Sequence, residues 1–298
     1  KSGQVTVLMI PRRRPRVAFF SAVLCGSASS RSLFVEPATI KVGGAADPAV
    51  DVLPPPCNDT ASSVSIRVRG AYNSGSNLFK QDLTLYDMPV DMKTNAQWVD
   101  GRGCNHWKHM TLDMVRTHCG IAPNDTGRAL LDDDDTWFVI ARHPLSWFLS
   151  MKQQPYDLRC GNNLIDGPCE MSKKNRREFS IDAVFANVFD YYNRFYLGYV
   201  ALARARRNVV VVRYEDIVAL LENTMEALAA AVPCSLTVHG AKPFMEAANP
   251  YRRKDCLNDG DCEHVEEIIQ RTLDETWRDE FAPGEIERLC PLIDADLL

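Results

Sequence analysis

The sequence lacks the marks of a nucleic-acid-binding or membrane-spanning protein. Its formal net charge is −5 and its pI is about 5.7, so no general positive field attracts a phosphate backbone. No stretch approaches the roughly 20 apolar residues of a membrane-spanning helix. Its ten cysteines include no C-x-x-C pair, the spacing typical of zinc sites. These absences argue against nucleic acid as the main partner and against a metal centre.

The cysteines that are present favour an oxidising compartment, because ten are many for a reducing one. Two pairs bracket short loops rich in Gly, Asn and Asp, a spacing suited to local disulfides: Cys160 with Cys169, and Cys256 with Cys262. Asn58 and Asn124 each begin an Asn-Asp-Thr glycosylation signal. We therefore predict the secretory pathway, with another organelle or the cytosol as alternatives.

The N-terminal part of the chain differs from the rest in composition. Residues 1–35 carry six Lys or Arg and no acidic residue, and residues 17–25 (VAFFSAVLC) have the length of a signal-peptide core. This pattern predicts a basic targeting or anchor-like segment; a transit peptide and a disordered basic tail are the alternatives. Residues 36–63 include Pro54–Pro56 and predict a stem or linker, which leaves 64–298 as the main domain.

Within 64–298 the pattern predicts strands that alternate with helices. Continuous apolar runs at 136–142 and 208–214 predict buried strands, and an alternating run at 64–69 predicts another. Helices are predicted near 109–119, after Pro144, from Ile181 along an apolar stripe to about 205, and near 217–231, while 86–106 reads as irregular. We expect an α/β fold of three layers, with a central, mainly parallel sheet flanked by helices.

The residues VSIRVRGAYNSGSNLF (64–79) read as a strand, a glycine turn and a helix start, an arrangement that binds phosphate or another tetrahedral anion. Gly70 and Gly75 have the spacing of the nucleoside-triphosphate loop, but Ser76 replaces its lysine and Asn77 its metal-binding hydroxyl. The candidate anion-binding residues are Asn73, Ser74, Gly75, Ser76, Asn77 and Leu78. An ordinary tight turn is the alternative.

Two further clusters carry groups suited to chemistry. Arg142 follows the second buried strand and Ser150 lies eight residues on, so a guanidinium and a hydroxyl could clamp a phosphate. A salt bridge at the strand end is the alternative for Arg142. The segment HWKHM supplies His106, Lys108 and His109: an imidazole can accept a proton at neutral pH, and a Lys can neutralise a leaving oxygen.

Taken together, the clusters resemble a sulfotransferase that uses 3′-phosphoadenosine 5′-phosphosulfate (PAPS). Residues 72–77 (YNSGSN) are similar to the family's P-K-S-G-T-T/N loop, Arg142 with Ser150 matches its R-x₇-S pair, and VVVVRYEDI matches a recurrent landmark. The resemblance covers 64 to about 290 and implies a P-loop-NTPase-like fold. It also implies that the loop holds the 5′-phosphosulfate and that Arg142 and Ser150 hold the 3′-phosphate, without a metal.

The resemblance also shapes the functional expectations. It implies sulfuryl transfer to an acceptor hydroxyl, with carbohydrate in the Golgi lumen as the expected setting. His109 is the predicted general base, with His106 next in line. The family's loop lysine is Asn73 here, so we expect Lys108 to supply that charge, and Arg252 to replace a missing C-terminal contact. A P-loop-type kinase and a non-catalytic nucleotide-binding module are the alternatives.

Overall fold

The computed structural model describes the chain in several stretches. They are residues 65–76, 79, 97–99, 105–122, 135–161, 163–175, 179–206, 208–219, 224–225, 228, 267, 270–272 and 274–297. The predicted targeting segment, the predicted stem, the Cys256–Cys262 pair and Arg252 lie outside these ranges. Within them, no helix is both long and apolar enough to cross a membrane.

The described elements alternate between strands and helices. In chain order they are β1 (Ser65–Gly70), β2 (Gln97–Val99), β3 (Asn105–Trp107), α1 (Leu112–Cys119), β4 (Asp135–Ala141), α2 (Pro144–Gln153), β5 (Leu158–Cys160), β6 (Cys169–Asn175), β7 (Phe179–Phe185), α3 (Val188–Ala205), β8 (Val209–Arg213) and α4 (Tyr214–Ala219). Near the C-terminus a short helix, α5 (Glu285–Leu289), lies among three 3₁₀ turns: Thr276–Glu280, Cys290–Leu292 and Ala295–Leu297.

The three apolar strands form one parallel sheet in the order β1-β4-β8. Phe138, Val139 and Ile140 of β4, the middle strand, are fully buried, as a continuous apolar run requires when both faces of a sheet are covered. The strands all run the same way, so Gly70, Ala141 and Arg213 lie at the same edge. The predicted α/β class and the parallel pairing are confirmed.

A second sheet is antiparallel, in the order β5-β6-β7, and corrects one prediction. We expected a helix from Ile181, but 179–185 is strand β7 and helix α3 begins only at Val188. The strand exposes Val184 and buries Phe185, as a period of two demands. Asn187 caps α3 by accepting hydrogen bonds from the N–H groups of Phe189 and Asp190.

Predictions for three other regions can be compared with the structure. The region 86–106, expected to be irregular, contains the antiparallel pair β2-β3. The helix expected near 109–119 begins at Leu112, and α2 has Pro144 in its first turn as predicted. The predicted Cys160–Cys169 disulfide is present and joins β5 to β6.

Candidate anion site and the neighbouring His109 turn

The glycine loop leaves β1 in a tight, fixed conformation. Asn73 and Gly75 both have positive φ, at 57° and 85°. Any side chain at position 75 would collide with the ring of Tyr214, so glycine is required there for shape as well as for φ. Phe79 N donates to Gly75 O at 3.0 Å, which starts a helical turn at Ser76. The strand–loop–helix order predicted for this segment is therefore present; Asn77 and Leu78 lie outside the described residues.

Arg142 contacts this loop directly. It follows β4 at the sheet edge where β1 also ends, and its Nη1 donates to the backbone oxygen of Asn73 at 3.2 Å. Its guanidinium lies 4.6 Å from the ring centroid of Tyr214, the ring that also borders Gly75. A guanidinium has five N–H donors arranged in a planar fork, and the carbonyl oxygen of Asn73 accepts from one of them.

The two serines after Arg142 contribute differently. Ser150 contacts the loop through its backbone oxygen, which accepts a hydrogen bond from Asn73 Nδ2 at 3.1 Å. The serine hydroxyl that pairs with the guanidinium is that of Ser146, which accepts from Arg142 Nε at 3.0 Å. Ser146 is one helical turn nearer the start of α2 than Ser150, so both border the same corner of the site.

Asn73 is a brace for the loop. Its side-chain amide donates to Ser150 O in α2 and, at 2.8 Å, to the backbone oxygen of Gln154, the residue that follows α2. Asn tolerates the left-handed backbone better than other non-glycine residues. Asn73 therefore supplies rigidity to the loop rather than charge.

His143 and Glu215 close the outer side of the site. Glu215 Oε1 accepts from the backbone N–H of His143 at 2.9 Å, which ties the start of α4 to the start of α2. Burial raises the pKa of Glu215. Burial, together with the nearby cations Arg278, Arg213 and Arg142, lowers the pKa of His143 to about 3. The neutral ring of His143 then caps α2, because its Nδ1 accepts from Leu145 N at 3.3 Å.

The predicted base lies on the opposite side of the loop. His109 is half-buried, its ring stacks on that of Tyr72 with centroids 4.5 Å apart, and its Nδ1 lies 2.6 Å from the carbonyl oxygen of Gly70. A carbonyl oxygen only accepts, so Nδ1 carries the proton and the lone pair of the neutral ring is on Nε2. In this tautomer Nε2 is the hydrogen-bond acceptor of the ring.

The turn that carries His109 is fastened by a hydrogen bond to each of its backbone oxygens. The turn comprises the last residue of β3 and the three residues after it, 107–110, and the donors come from the end of β1 and from α3. Arg69 Nη1 donates to Trp107 O, Gly70 N to Lys108 O, Tyr191 Oη to His109 O and Tyr199 Oη to Met110 O, at 3.0–3.4 Å. Such a turn holds its side chains in place with little freedom.

The remaining predicted residues are placed as follows. Lys108 is buried beside His109, and its backbone contacts the first residue of the loop. His106 lies in β3 opposite Trp98. Ser74 is buried, and its hydroxyl lies within hydrogen-bonding reach of the Tyr196 hydroxyl.

Sequence reasoning missed the second layer of the site. No short sequence motif indicates the contacts that Ser146, Tyr72 and Tyr191 make. Tyr214 and Glu215, in contrast, belong to the predicted RYED landmark. Tyr191 is not among the residues of the predicted apolar stripe, and only its hydroxyl group could have indicated the contact.

The chain matches no protein-family model, no curated protein sequence and no solved structure. The function of this site is therefore argued from its own residues.

Proposed function

We propose that the protein is a sulfotransferase that moves the sulfuryl group of PAPS to an acceptor hydroxyl. One observation carries the proposal: the glycine loop, Arg142 and α2 meet at one corner, through Arg142 Nη1 on Asn73 O at 3.2 Å and Asn73 Nδ2 on Ser150 O at 3.1 Å. A ligand with two separate anionic groups fits this corner, one group at the loop amides and one at the guanidinium.

The finer fold assignment belongs to the same proposal. The order β1–loop–helical turn, with a parallel neighbour strand that ends in an Arg, agrees with a three-layer fold of the P-loop-NTPase type. Ser76 and Asn77 stand where a triphosphate loop has its lysine and metal-binding hydroxyl, which favours a phosphosulfate over a metal-bound triphosphate.

The reaction is an in-line displacement at sulfur. PAPS supplies an activated sulfuryl group, whose bond to the bridging phosphate oxygen breaks as the acceptor oxygen bonds to sulfur. His109 Nε2 takes the acceptor proton. Lys108 and the loop amides stabilise the negative charge on the departing oxygen, and donors of this kind commonly contribute about 3–4 kcal/mol each. Arg142, supported by Ser146, holds the 3′-phosphate, with Ser150 at the same corner.

The setting follows from the same reasoning. Carbohydrate in the Golgi lumen is the proposed acceptor and compartment, and the Cys160–Cys169 disulfide is consistent with that compartment. Asn58 and Asn124 are proposed glycosylation sites, and the 1–35 segment is the proposed signal or anchor.

The test compares ligands before it measures turnover. We expect 3′-phosphoadenosine 5′-phosphate (PAP) to raise the thermal midpoint of the full chain more than ATP with Mg²⁺, and radiolabelled PAPS to transfer its label to members of an acceptor panel. Arg142→Ala should weaken PAP binding about 10- to 100-fold, because a charge-assisted pair is lost. His109→Ala should leave PAP binding intact and lower turnover by roughly two to four orders of magnitude.

The other outcomes identify the alternatives. Protection by ATP with Mg²⁺ alone would overturn the proposal in favour of a kinase. PAP binding without transfer to any acceptor would favour the non-catalytic nucleotide-binding module. Arg204, an exposed residue near the end of α3, provides the control, since Arg204→Ala removes an equal charge away from the loop.

A further inference from the structure

Tyr156 is an aromatic residue with an unexplained exposure. It lies in the turn between α2 and β5, its side chain is 54% exposed, and its φ is 53°, in the left-handed region. Residues held in a costly backbone conformation occur preferentially at functional and ligand-binding sites. A residue of this kind is a candidate for contact with a ligand.

The ring of Tyr156 belongs to the site already described. It lies nearly parallel to the ring of Tyr72, at 11° with centroids 5.8 Å apart, and Tyr72 in turn stacks on His109 at 4.5 Å. The same turn begins at Gln154, whose backbone oxygen accepts from Asn73 Nδ2. The Tyr156 ring is therefore linked to His109, the proposed base, through the ring of Tyr72. It also borders the glycine loop.

The surroundings of Tyr156 favour a hydroxyl-rich ligand over an aromatic one. The adjacent Asp157 accepts from the Tyr72 hydroxyl at 3.5 Å, and a carboxylate has several acceptor positions. Small aromatic ligands are normally enclosed by apolar side chains. Here the ring is open on one side, and Arg159 and Ser172 on the neighbouring strands are exposed. A sugar ring has an apolar face for stacking and hydroxyls for the carboxylate.

We propose that Tyr156 is the stacking platform for one sugar ring of a glycan acceptor, and that Asp157 accepts a hydrogen bond from a hydroxyl of that sugar. This rests on the proposed function, and it names the part of the site that selects the acceptor. The Tyr72 ring supports the platform from behind and lies between it and His109, so the stacked sugar positions the glycan while the reacting hydroxyl belongs to a neighbouring sugar.

The experiment measures acceptor binding without turnover. The labelled full chain, saturated with PAP, is applied to a glycan array, and the variants are Tyr156→Ala, Tyr156→Phe and Val184→Ala. Val184 is the matched control, since it is 62% exposed on β7 of the antiparallel sheet. We expect the wild type to bind a subset of glycans, and Tyr156→Ala to lose about tenfold in affinity, as expected for one aromatic stack.

Further measurements distinguish a role of Tyr156 in acceptor binding from a role in folding. Tyr156→Phe and Val184→Ala should bind like the wild type, and all three variants should keep the thermal midpoint and the PAP affinity. With the acceptor in a transfer assay, Tyr156→Ala should raise KM more than it lowers kcat. A thermal midpoint that falls in Tyr156→Ala but not in Tyr156→Phe would show a structural role and overturn the proposal.

Two other results would also overturn it. One is a wild type that binds no glycan on the array, or a Tyr156→Ala variant that binds unchanged. The other is saturation-transfer NMR that detects 4-nitrophenol on the wild type but not on Tyr156→Ala, which would assign the platform to an aryl acceptor. Glycan binding by a chain that fails to bind PAP would retain the platform and reject the sulfotransferase.

Discussion

Asn73 shows how one side chain can fix the shape of an anion loop. Its left-handed backbone turns the chain, and its amide joins the loop to the backbone oxygens of Ser150 in α2 and of Gln154 just after it. The sequence shows that position 73 carries no charge, but it could not reveal these hydrogen bonds, because the partners are 77 and 81 residues away.

The two properties of Asn73 can be separated by substitution. Asn73→Gly keeps the positive φ and removes the amide, whereas Asn73→Ala removes the amide and strains the backbone. We expect Asn73→Gly to lower the free energy of unfolding by about 1 kcal/mol, and Asn73→Ala by about 1–2 kcal/mol more. Urea unfolding measures both, and calorimetry should find weaker PAP binding in each. Equal stability of the two variants would show that the backbone conformation is not strained.

Tyrosines of helix α3 form hydrogen bonds both to the turn that carries His109 and to the backbone of Arg142. Tyr191 and Tyr192 are adjacent, yet the first donates to His109 O at 3.0 Å and the second to Arg142 O at 2.6 Å. Tyr196 and Tyr199 add bonds to Ile140 O and Met110 O. The apolar periodicity predicted that this helix is buried, and it is; the hydroxyl partners depend on tertiary packing and could not be predicted.

Adjacent substitutions on α3 should therefore have different effects. Tyr191→Phe frees the turn that carries His109, so we expect kcat to fall severalfold while PAP affinity is retained. Tyr192→Phe frees the backbone of Arg142, so PAP affinity should fall while the pH dependence of kcat is retained. Tyr192→Phe removes one buried hydrogen bond and Tyr191→Phe removes two, since Tyr191 Oη also accepts from Tyr72 N at 3.4 Å. Each bond is worth about 1 kcal/mol of stability. Identical kinetic profiles for the two variants would contradict this division.

The start of α2 should make the protein sensitive to acid. His143 caps the helix as a neutral ring with a pKa of about 3, whereas an unfolded His titrates near 6.5. The unfolded state therefore binds more protons between these values, and stability falls as the pH is lowered from about 6.5 towards 3. Between pH 7.5 and 5.0 the expected loss is about 2 kcal/mol.

His143→Asn isolates this effect, because Asn also caps helices but does not titrate. Urea unfolding at both pH values should show a smaller loss in His143→Asn than in the wild type. His118→Asn, at an exposed position on α1, is the matched control and should follow the wild type. If His143→Asn lost as much stability at pH 5.0 as the wild type, the acid sensitivity would come from another residue.

At the scale of the whole molecule, the two larger sheets differ in how far their sequences predict them. Parallel strands buried on both faces, such as β4, leave continuous apolar runs that are easily read. In β7, Ile181 and Phe185 fit a strand as well as the helical stripe that continues into α3, so the strand was assigned to the helix. Exposed Val184 resolves the ambiguity only once the structure is known.

In the proposed function the parallel sheet binds the donor and the antiparallel sheet supports acceptor binding. The Cys160–Cys169 disulfide allows this division to be tested. In that proposal the donor binds at the edge of the parallel sheet, while Tyr156 leads directly into β5, which the disulfide joins to β6. Closing so short a loop contributes about 2–3 kcal/mol. The double variant Cys160→Ala, Cys169→Ala should lose roughly that much stability and weaken glycan binding severalfold at unchanged PAP affinity. Because Arg142 and the glycine loop are held by β1, β4 and α2, an equal loss of PAP affinity would mean that the two sheets act as one unit.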